Sequence, residues 1–292
     1  MFSSVPAGLL VDGTVGGAGH SQALLDARPD CRLLGIDRDA EAVEAATAAL
    51  APFGERATVV HAGFEDLADV LAGESSVGVL YDLGVSSPQL DRPDRGFSYR
   101  ADAPLDMRMD RSQALSAWKV VNEYEEAELA RVIARWGEER FARGIARRIV
   151  AHRPLDTTAE LAEVVRDAIP AATRRTGPHP ARRTFQAIRM EVNAEYDHLA
   201  AGLEAGFAAL EPGGRLAVLS YHSIEDRMVK HRFVDWSSPP SVPRGLPLPP
   251  DQPPPPGVLV TRRAQRPPSE EMATNPRSES ARLRVLERAG RS

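Results

Sequence analysis

Two rhythms of apolar and polar positions alternate along the first part of the chain. Short apolar runs occur at Leu9 to Asp12, Arg32 to Asp37, Thr58 to His61 and Val77 to Leu83. Between them, apolar residues recur at helical spacing over Ser21 to Ala27, Ala40 to Leu50 and Phe64 to Leu71. A short continuous apolar run suits a strand buried on both faces, whereas a period near 3.6 suits an amphipathic helix. Strands alternating with helices predict an α/β fold, a parallel sheet covered by helices on both faces.

The alternation breaks after Leu83. Residues 84–112 are polar and rich in Gly, Pro, Ser and Asp. This irregular loop is longer than a connection needs, which marks it as functional. Helical patterns then follow without strands, near Tyr124 to Trp136, Arg140 to Ala151, and from the capping cluster Asp156-Thr157-Thr158 to Ile169. A loop spans Pro170 to Pro180. A long helix is predicted from Thr184 to Leu210, then a turn over Glu211 to Gly214, a strand over Arg215 to Ser220 and a short helix after Ser223. Residues 237–256 are proline-rich and lack apolar periodicity, and Val258 to Val260 and Ala281 to Leu286 read as closing strands. The expected organisation is a first α/β part over 1–109, a helical insertion over 110–180, and a second α/β part over 181–292 carrying the proline-rich loop 237–256.

Composition narrows the classes. A chain of 292 residues with 42% hydrophobic content can bury a full core. It has no run approaching the roughly 20 apolar residues of a membrane span, and its first residues lack a signal-peptide pattern. The single cysteine, Cys31, allows no intrachain disulfide. No His, Cys and Asp grouping has metal-site spacing, so no metal is expected. These features point to the cytoplasm. The net charge of −5 conceals two basic segments. Residues 131–189 carry 13 Arg against 6 Asp and Glu, and residues 261–292 carry 8 Arg against 4 Glu. Such segments in an acidic chain fit a polyanion partner, or else solvated helix faces.

The candidate chemistry begins in the loop Asp12-Gly13-Thr14-Val15-Gly16-Gly17-Ala18-Gly19-His20, between the first strand and the first helix. Glycines there let a ligand approach the backbone, and Asp37, at the end of the second strand, can hold ribose hydroxyls. A dinucleotide site places a third glycine where this chain has Gln22. Asp12 would repel a pyrophosphate but suit the ammonium of a methionine moiety. The loop therefore reads as an S-adenosylmethionine site ahead of an NAD site, with an ordinary tight turn as the bland alternative. At the end of the fourth strand, Asp82-Leu83-Gly84-Val85-Ser86-Ser87-Pro88-Gln89 offers acceptors that can hold the two N–H groups of an exocyclic amine. Methylation at a pyrimidine carbon needs a cysteine nucleophile. Cys31 lies at the start of the second strand, so nitrogen is the preferred acceptor.

Several longer motifs follow in order: Asp82 to Asp91, Arg95-Gly96-Phe97-Ser98, Pro104 to Met109, Arg182 to Arg189, Ser220 to Arg227 and Asn275-Pro276-Arg277-Ser278. With the glycine loop, they make the chain resemble the bacterial ribosomal RNA small subunit methyltransferase H family over nearly its whole length. The resemblance implies a class I S-adenosylmethionine-dependent methyltransferase, a Rossmann-like sheet with an inserted all-helical domain. It implies methyl transfer to N4 of a cytosine in the decoding centre of 16S rRNA, within the small ribosomal subunit. The cofactor contacts it implies are Ala18, Gly19, His20, Asp37, Phe64, Asp82 and Gln89. Candidate catalytic residues are Ser86, Ser87, Asp106 and His222, with the favoured alternatives that Asp106 orders its loop in an ion pair with Arg108 and that His222 caps the next helix. Arg182, Arg183 and Arg189 serve RNA or pair with acids. The chain departs from the family at Ala18, where glycine is usual, and has no His-x-Pro-Val sequence before the first strand. Competing readings are a DNA amino-methyltransferase, a non-catalytic rRNA-binding or assembly protein, and an NAD oxidoreductase.

Overall fold

A computed structural model describes residues 1–174, 179–239 and 254–290. The middle of the loop Pro170 to Pro180 and most of the proline-rich segment 237–256 lie outside the described residues. The strands are β1 (Leu9–Asp12), β2 (Arg32–Asp37), β3 (Ala57–His61), β4 (Ser76–Asp82), β5 (Leu210–Ser220), β6 (Gly257–Leu259) and β7 (Arg282–Arg288). The first helices are α1 (Gly19–Ala27), α2 (Ala40–Leu50) and α3 (Leu67–Leu71). After β4 come α4 (Ser87–Asp91), α5 (Ala117–Glu123), α6 (Glu126–Gly137), α7 (Ala142–Ala151), α8 (Thr158–Ala168), α9 (Ala171–Arg174) and α10 (Arg182–Val192). The last are α11 (Glu195–Ala209), α12 (Ser223–Ser237) and α13 (Ser269–Thr274). The chain forms two compact units, Met1–Gly84 with Asp197–Ser292, and Val85–Tyr196.

The first unit holds one seven-stranded sheet in the order β3-β2-β1-β4-β5-β7-β6. Strands β1 to β5 pair in parallel, and β7 runs antiparallel to both β5 and β6. This is the class I methyltransferase sheet that the resemblance implies. The winding reverses between β1 and β4, and ligands of such sheets bind beyond the carboxyl ends of the strands at that switch. Asp12, Asp37 and Asp82 end β1, β2 and β4 respectively. Apolar residues anchor the sheet: Leu10, Val77, Leu80, Ala217 and Val285 pack with Phe2, Val5 and the buried Cys31.

Several elements differ from the periodicity: α5 and α13 are unexpected, β5 already starts at Leu210 where a turn is expected over Glu211 to Gly214, and two helices differ in extent. The single helix expected over Thr184 to Leu210 is two, α10 and α11, broken at Asn193 and at Ala194, whose φ is +47°. Asn193 is buried; it accepts from the Met109 N–H at 2.8 Å and donates to the Met107 carbonyl at 2.8 Å. That tie to a distant loop stops the helix, and no local signal announces it. The helix after Ser223, expected to be short, runs to Ser237.

The second unit is helical. Its core joins Val120, Leu129, Ile133, Ile145, Ile149, Leu161 and Val165 to Phe97, Leu105 and Met107 upstream and to Phe185 and Ile188 downstream. Helix α8 starts in a capping box: the Glu160 N–H donates to Thr157 Oγ1, and the Glu160 carboxylate accepts the Thr157 N–H. This satisfies donors that a helix start otherwise leaves open. The polar stretch before α5 is also pinned, because the buried Arg95 donates to the carbonyls of Arg108 and Met109 at 3.0 and 3.1 Å.

Candidate functional site

The glycine loop is braced from below. Asp12 is 1% exposed, and its carboxylate accepts from Ser21 Oγ at 2.7 Å and from the Thr14 N–H at 3.2 Å. Burial pushes its pKa up to about 6, against the lowering effect of those two donors. Asp12 therefore presents no surface to a ligand. The expectation that it meets a methionine ammonium is corrected: it holds the loop to α1. Gly13 is required because a Cβ there would collide with the Tyr81 ring. Gly17 and Gly19 have nothing within 4 Å of a built Cβ, which leaves the loop backbone open to a ligand. Ala18 is fully buried in a left-handed conformation, φ +63°, at the N-cap of α1.

Asp37 lies beside that loop. Its Oδ2 accepts the Gly16 N–H at 2.9 Å and its Oδ1 the Asp39 N–H at 2.9 Å. Burial raises its pKa, partly countered by those amides. A carboxylate has about four acceptor positions, so capacity remains for two hydroxyls. Phe64 follows β3 and is half-buried. Its ring centroid is 5.0 Å from that of Tyr81, and it is seated against Gly202, where a Cβ would overlap it.

Asp82 is the focus of a further polar cluster in this unit. His20 Nε2 is 3.2 Å from its Oδ2, and the Tyr221 hydroxyl donates to its Oδ1 at 2.8 Å. Its backbone N–H donates to Thr14 Oγ1 at 2.6 Å, linking β4 to the glycine loop. The hydrogen bond to Asp82 raises the His20 pKa despite desolvation. Desolvation, reinforced by the Asp82 charge, raises that of Tyr221. Thus the structure brings together His20 and Asp82, both expected from sequence, and adds Tyr221, which sequence reasoning did not single out. The available signal was its place directly after β5 in Ser220-Tyr221-His222-Ser223. His222 caps α12: its Nδ1 accepts the Glu225 N–H at 3.4 Å, and the Glu225 carboxylate accepts the Tyr221 and His222 N–H groups at 2.9 and 3.2 Å.

The remaining candidates belong to the helical unit. The Ser86 N–H donates to Gln89 Oε1 at 3.0 Å, and Gln89 is buried. Ser87 begins α4, and its side chain lies outside the described part of the structure. Asp106 receives Arg108 Nε at 2.6 Å and a second guanidinium nitrogen at 3.1 Å, and Arg108 also donates to the carbonyls of Arg111 and Gln113. Burial pushes the Asp106 pKa up, and Arg108 outweighs this, leaving it lowered. Arg189 is engaged by Glu195 at 2.7 and 2.8 Å. In the first unit, Arg282 and Arg284 each meet Asp226 at 2.8 Å, so part of the C-terminal basic segment is internal. Arg262, Arg263 and Arg266 are exposed. Among the described residues, no helix is long and apolar enough to cross a membrane.

The ribosomal RNA small subunit methyltransferase H of Symbiobacterium thermophilum is 51% identical over 288 residues, covering 96% of this chain and 91% of its own length. Proteins of the same name from Thermobifida fusca and Mycolicibacterium smegmatis are each 50% identical over 289 residues; both alignments cover 97% of this chain, with 87% and 77% of the respective relatives. The sequence profile of the MraW methylase family matches residues 1–289. With its sheet order and its open glycine loop beside Asp37, the chain belongs to the MraW methylase family of S-adenosylmethionine-dependent methyltransferases.

Proposed function

We propose that this protein methylates the N4 amine of a cytosine in 16S rRNA of the small ribosomal subunit, in the cytoplasm. The observation that carries this reading is the open loop at Gly17 and Gly19 beside Asp37, in a chain half identical to ribosomal RNA small subunit methyltransferases H. S-adenosylmethionine supplies an electrophilic methyl group on a sulfonium. In this reading the backbone N–H groups of Gly19 and His20 at the start of α1 receive its carboxylate. Ala18 shapes the turn before them, Asp37 takes the ribose hydroxyls, and Phe64 lies against the adenine.

Asp82 and Gln89 complete the cofactor contacts. Ser86 and Ser87, which follow Asp82 closely in the chain, accept the N–H groups of the target amine and so orient its nitrogen. The target base is swung out of its stack to reach them. The Asp106 carboxylate is committed to Arg108 and the His222 ring to the α12 cap. Both therefore act by holding loops in place, with proximity and orientation supplying the rate.

Mass spectrometry of 16S rRNA nucleosides from cells lacking the gene tests the reading. N4-methylcytidine is lost, and wild type restores it while Asp82→Ala does not. Unchanged N4-methylcytidine in the deletion strain would reject the proposal.

A further inference from the structure

Several arginines of the helical unit are engaged by its own groups. Arg95 and Arg153 donate to backbone carbonyls, Arg108 is paired with Asp106, Arg189 with Glu195, and Arg166 with Glu163 and Asp167. Arg140 and Arg143 are distinguished by lining one pocket together. Both are exposed, and among the described residues no carboxylate stands at ion-pair distance from either. Both line an open surface cavity of about 490 Å³ at the end of α6 and the start of α7, bordered by Ala168 and Pro170 at the end of α8, with Ala134, Phe141 and Gly144. Arg140 is held in place without being neutralised: its guanidinium lies 4.6 Å from the Phe141 ring centroid and donates to Thr173 Oγ1 at 3.3 Å.

Two details define what the cavity accepts. Glu139 also lines it, but its Oε1 is occupied by the Phe141 N–H at 2.9 Å and its Oε2 faces Arg183 at 4.0 Å. Gly144 sits in the first turns of α7, exposed, with nothing within 4 Å of a built Cβ. Glycine weakens a helix, and among the described residues nothing packs against this position, so it leaves the backbone open for a close approach. Guanidinium forks match phosphate oxygens. The Arg140 guanidinium already occupies a face of Phe141, which argues against base stacking.

We propose that this cavity seats a phosphodiester of the substrate RNA between Arg140 and Arg143, a contact that positions the RNA without reading its sequence. The inference rests on the rRNA reading above. None of the proposed cofactor contacts lines this cavity, so it governs RNA affinity and leaves cofactor binding alone.

The test is filter binding and methylation of purified small ribosomal subunits between 50 and 200 mM salt, about the range where phosphate contacts are strongly screened. The doubly substituted Arg140→Gln, Arg143→Gln protein should bind about tenfold more weakly, with a salt slope shallower by about one to two ions. Its calorimetric titration with S-adenosylmethionine should match wild type. Gly144→Glu should melt no lower than wild type yet bind subunits more weakly, because the new carboxylate enters the cavity. That pairing of retained stability with lost affinity is not expected of a purely structural glycine. If wild type methylates subunits and these variants keep its affinity and salt slope, the seat is refuted while the rRNA reading stands. If wild type neither binds nor methylates subunits, the rRNA reading falls and this inference with it.

Discussion

Tyr221 and Asp82 are joined by a 2.8 Å hydrogen bond in which the phenol donates and the carboxylate accepts. With His20 on the other oxygen, both sides of the Asp82 carboxylate are held. Tyr221→Phe keeps the ring and removes one donor. A hydrogen bond to a charged group contributes about 1.5–3 kcal/mol, so affinity for S-adenosylmethionine should fall about tenfold or more if Asp82 contacts the cofactor. His20 should also titrate higher, because the carboxylate then leans on its remaining donor. Calorimetry and NMR titration of the imidazole read the two effects, and wild-type behaviour in both would remove Tyr221 from the site.

Asp12 makes stability depend on pH with an unusual sign. Its pKa is about 6 in the folded chain against an ordinary value of 3.8. The folded state therefore binds the proton more tightly than the unfolded state. Its contribution is fully present below pH 3.8 and is lost as pH rises through about 6, to the extent of about 3 kcal/mol. Asp12→Asn should gain stability relative to wild type across that window and hold the gain at neutral pH. Urea unfolding from pH 4 to 7.5 measures the difference, and a pH-independent difference would contradict the assignment.

Two glycines should respond oppositely to the same substitution. At Gly202 a methyl group would overlap the Phe64 ring, which is already packed on Tyr81. Gly202→Ala should cost about 1–3 kcal/mol by overpacking and weaken cofactor binding through a displaced Phe64. At Gly144 the methyl group meets nothing, so Gly144→Ala should stabilise α7 by up to about 1 kcal/mol. Thermal melts of the two proteins decide the matter.

Asp226 anchors Arg282 and Arg284 of β7. Burial raises its pKa, and the two arginines more than reverse that, leaving it lowered. A depressed carboxyl stabilises the fold above its unfolded pKa, and that stability is lost as pH falls through the folded value. Asp226→Ala leaves the mostly buried Arg284 uncompensated and should cost about 3 kcal/mol at neutral pH. The gap from wild type should narrow in acid. Equal acid unfolding of the two proteins would deny the pair its role.

Much of the fold was readable because its signals are local. Four early strands show as short apolar runs ending at Asp12, Asp37, His61 and near Asp82, and the glycine loop stands between the first strand and its helix. Thr157 with Glu160 announces the start of α8 for the same reason: a cap is written within one turn of chain. The break at Asn193 was not readable, since its partners, Met107 and Met109, are remote in sequence. Nor could the extent of the helical core be read, because Phe97 and Ile188 join it from outside the helical run.

The sequence by itself determined the sheet, its acid-tipped strands and the chemistry their loop admits, because periodicity and glycine placement act through neighbouring residues. Only the tertiary structure decided how the charges are used. Asp12 is buried as a brace, Asp82 meets a tyrosine from the far half of the chain, and the arginines divide between internal pairs and open surface. A charge finds its partner through space, and that distance exists only once the backbone has closed.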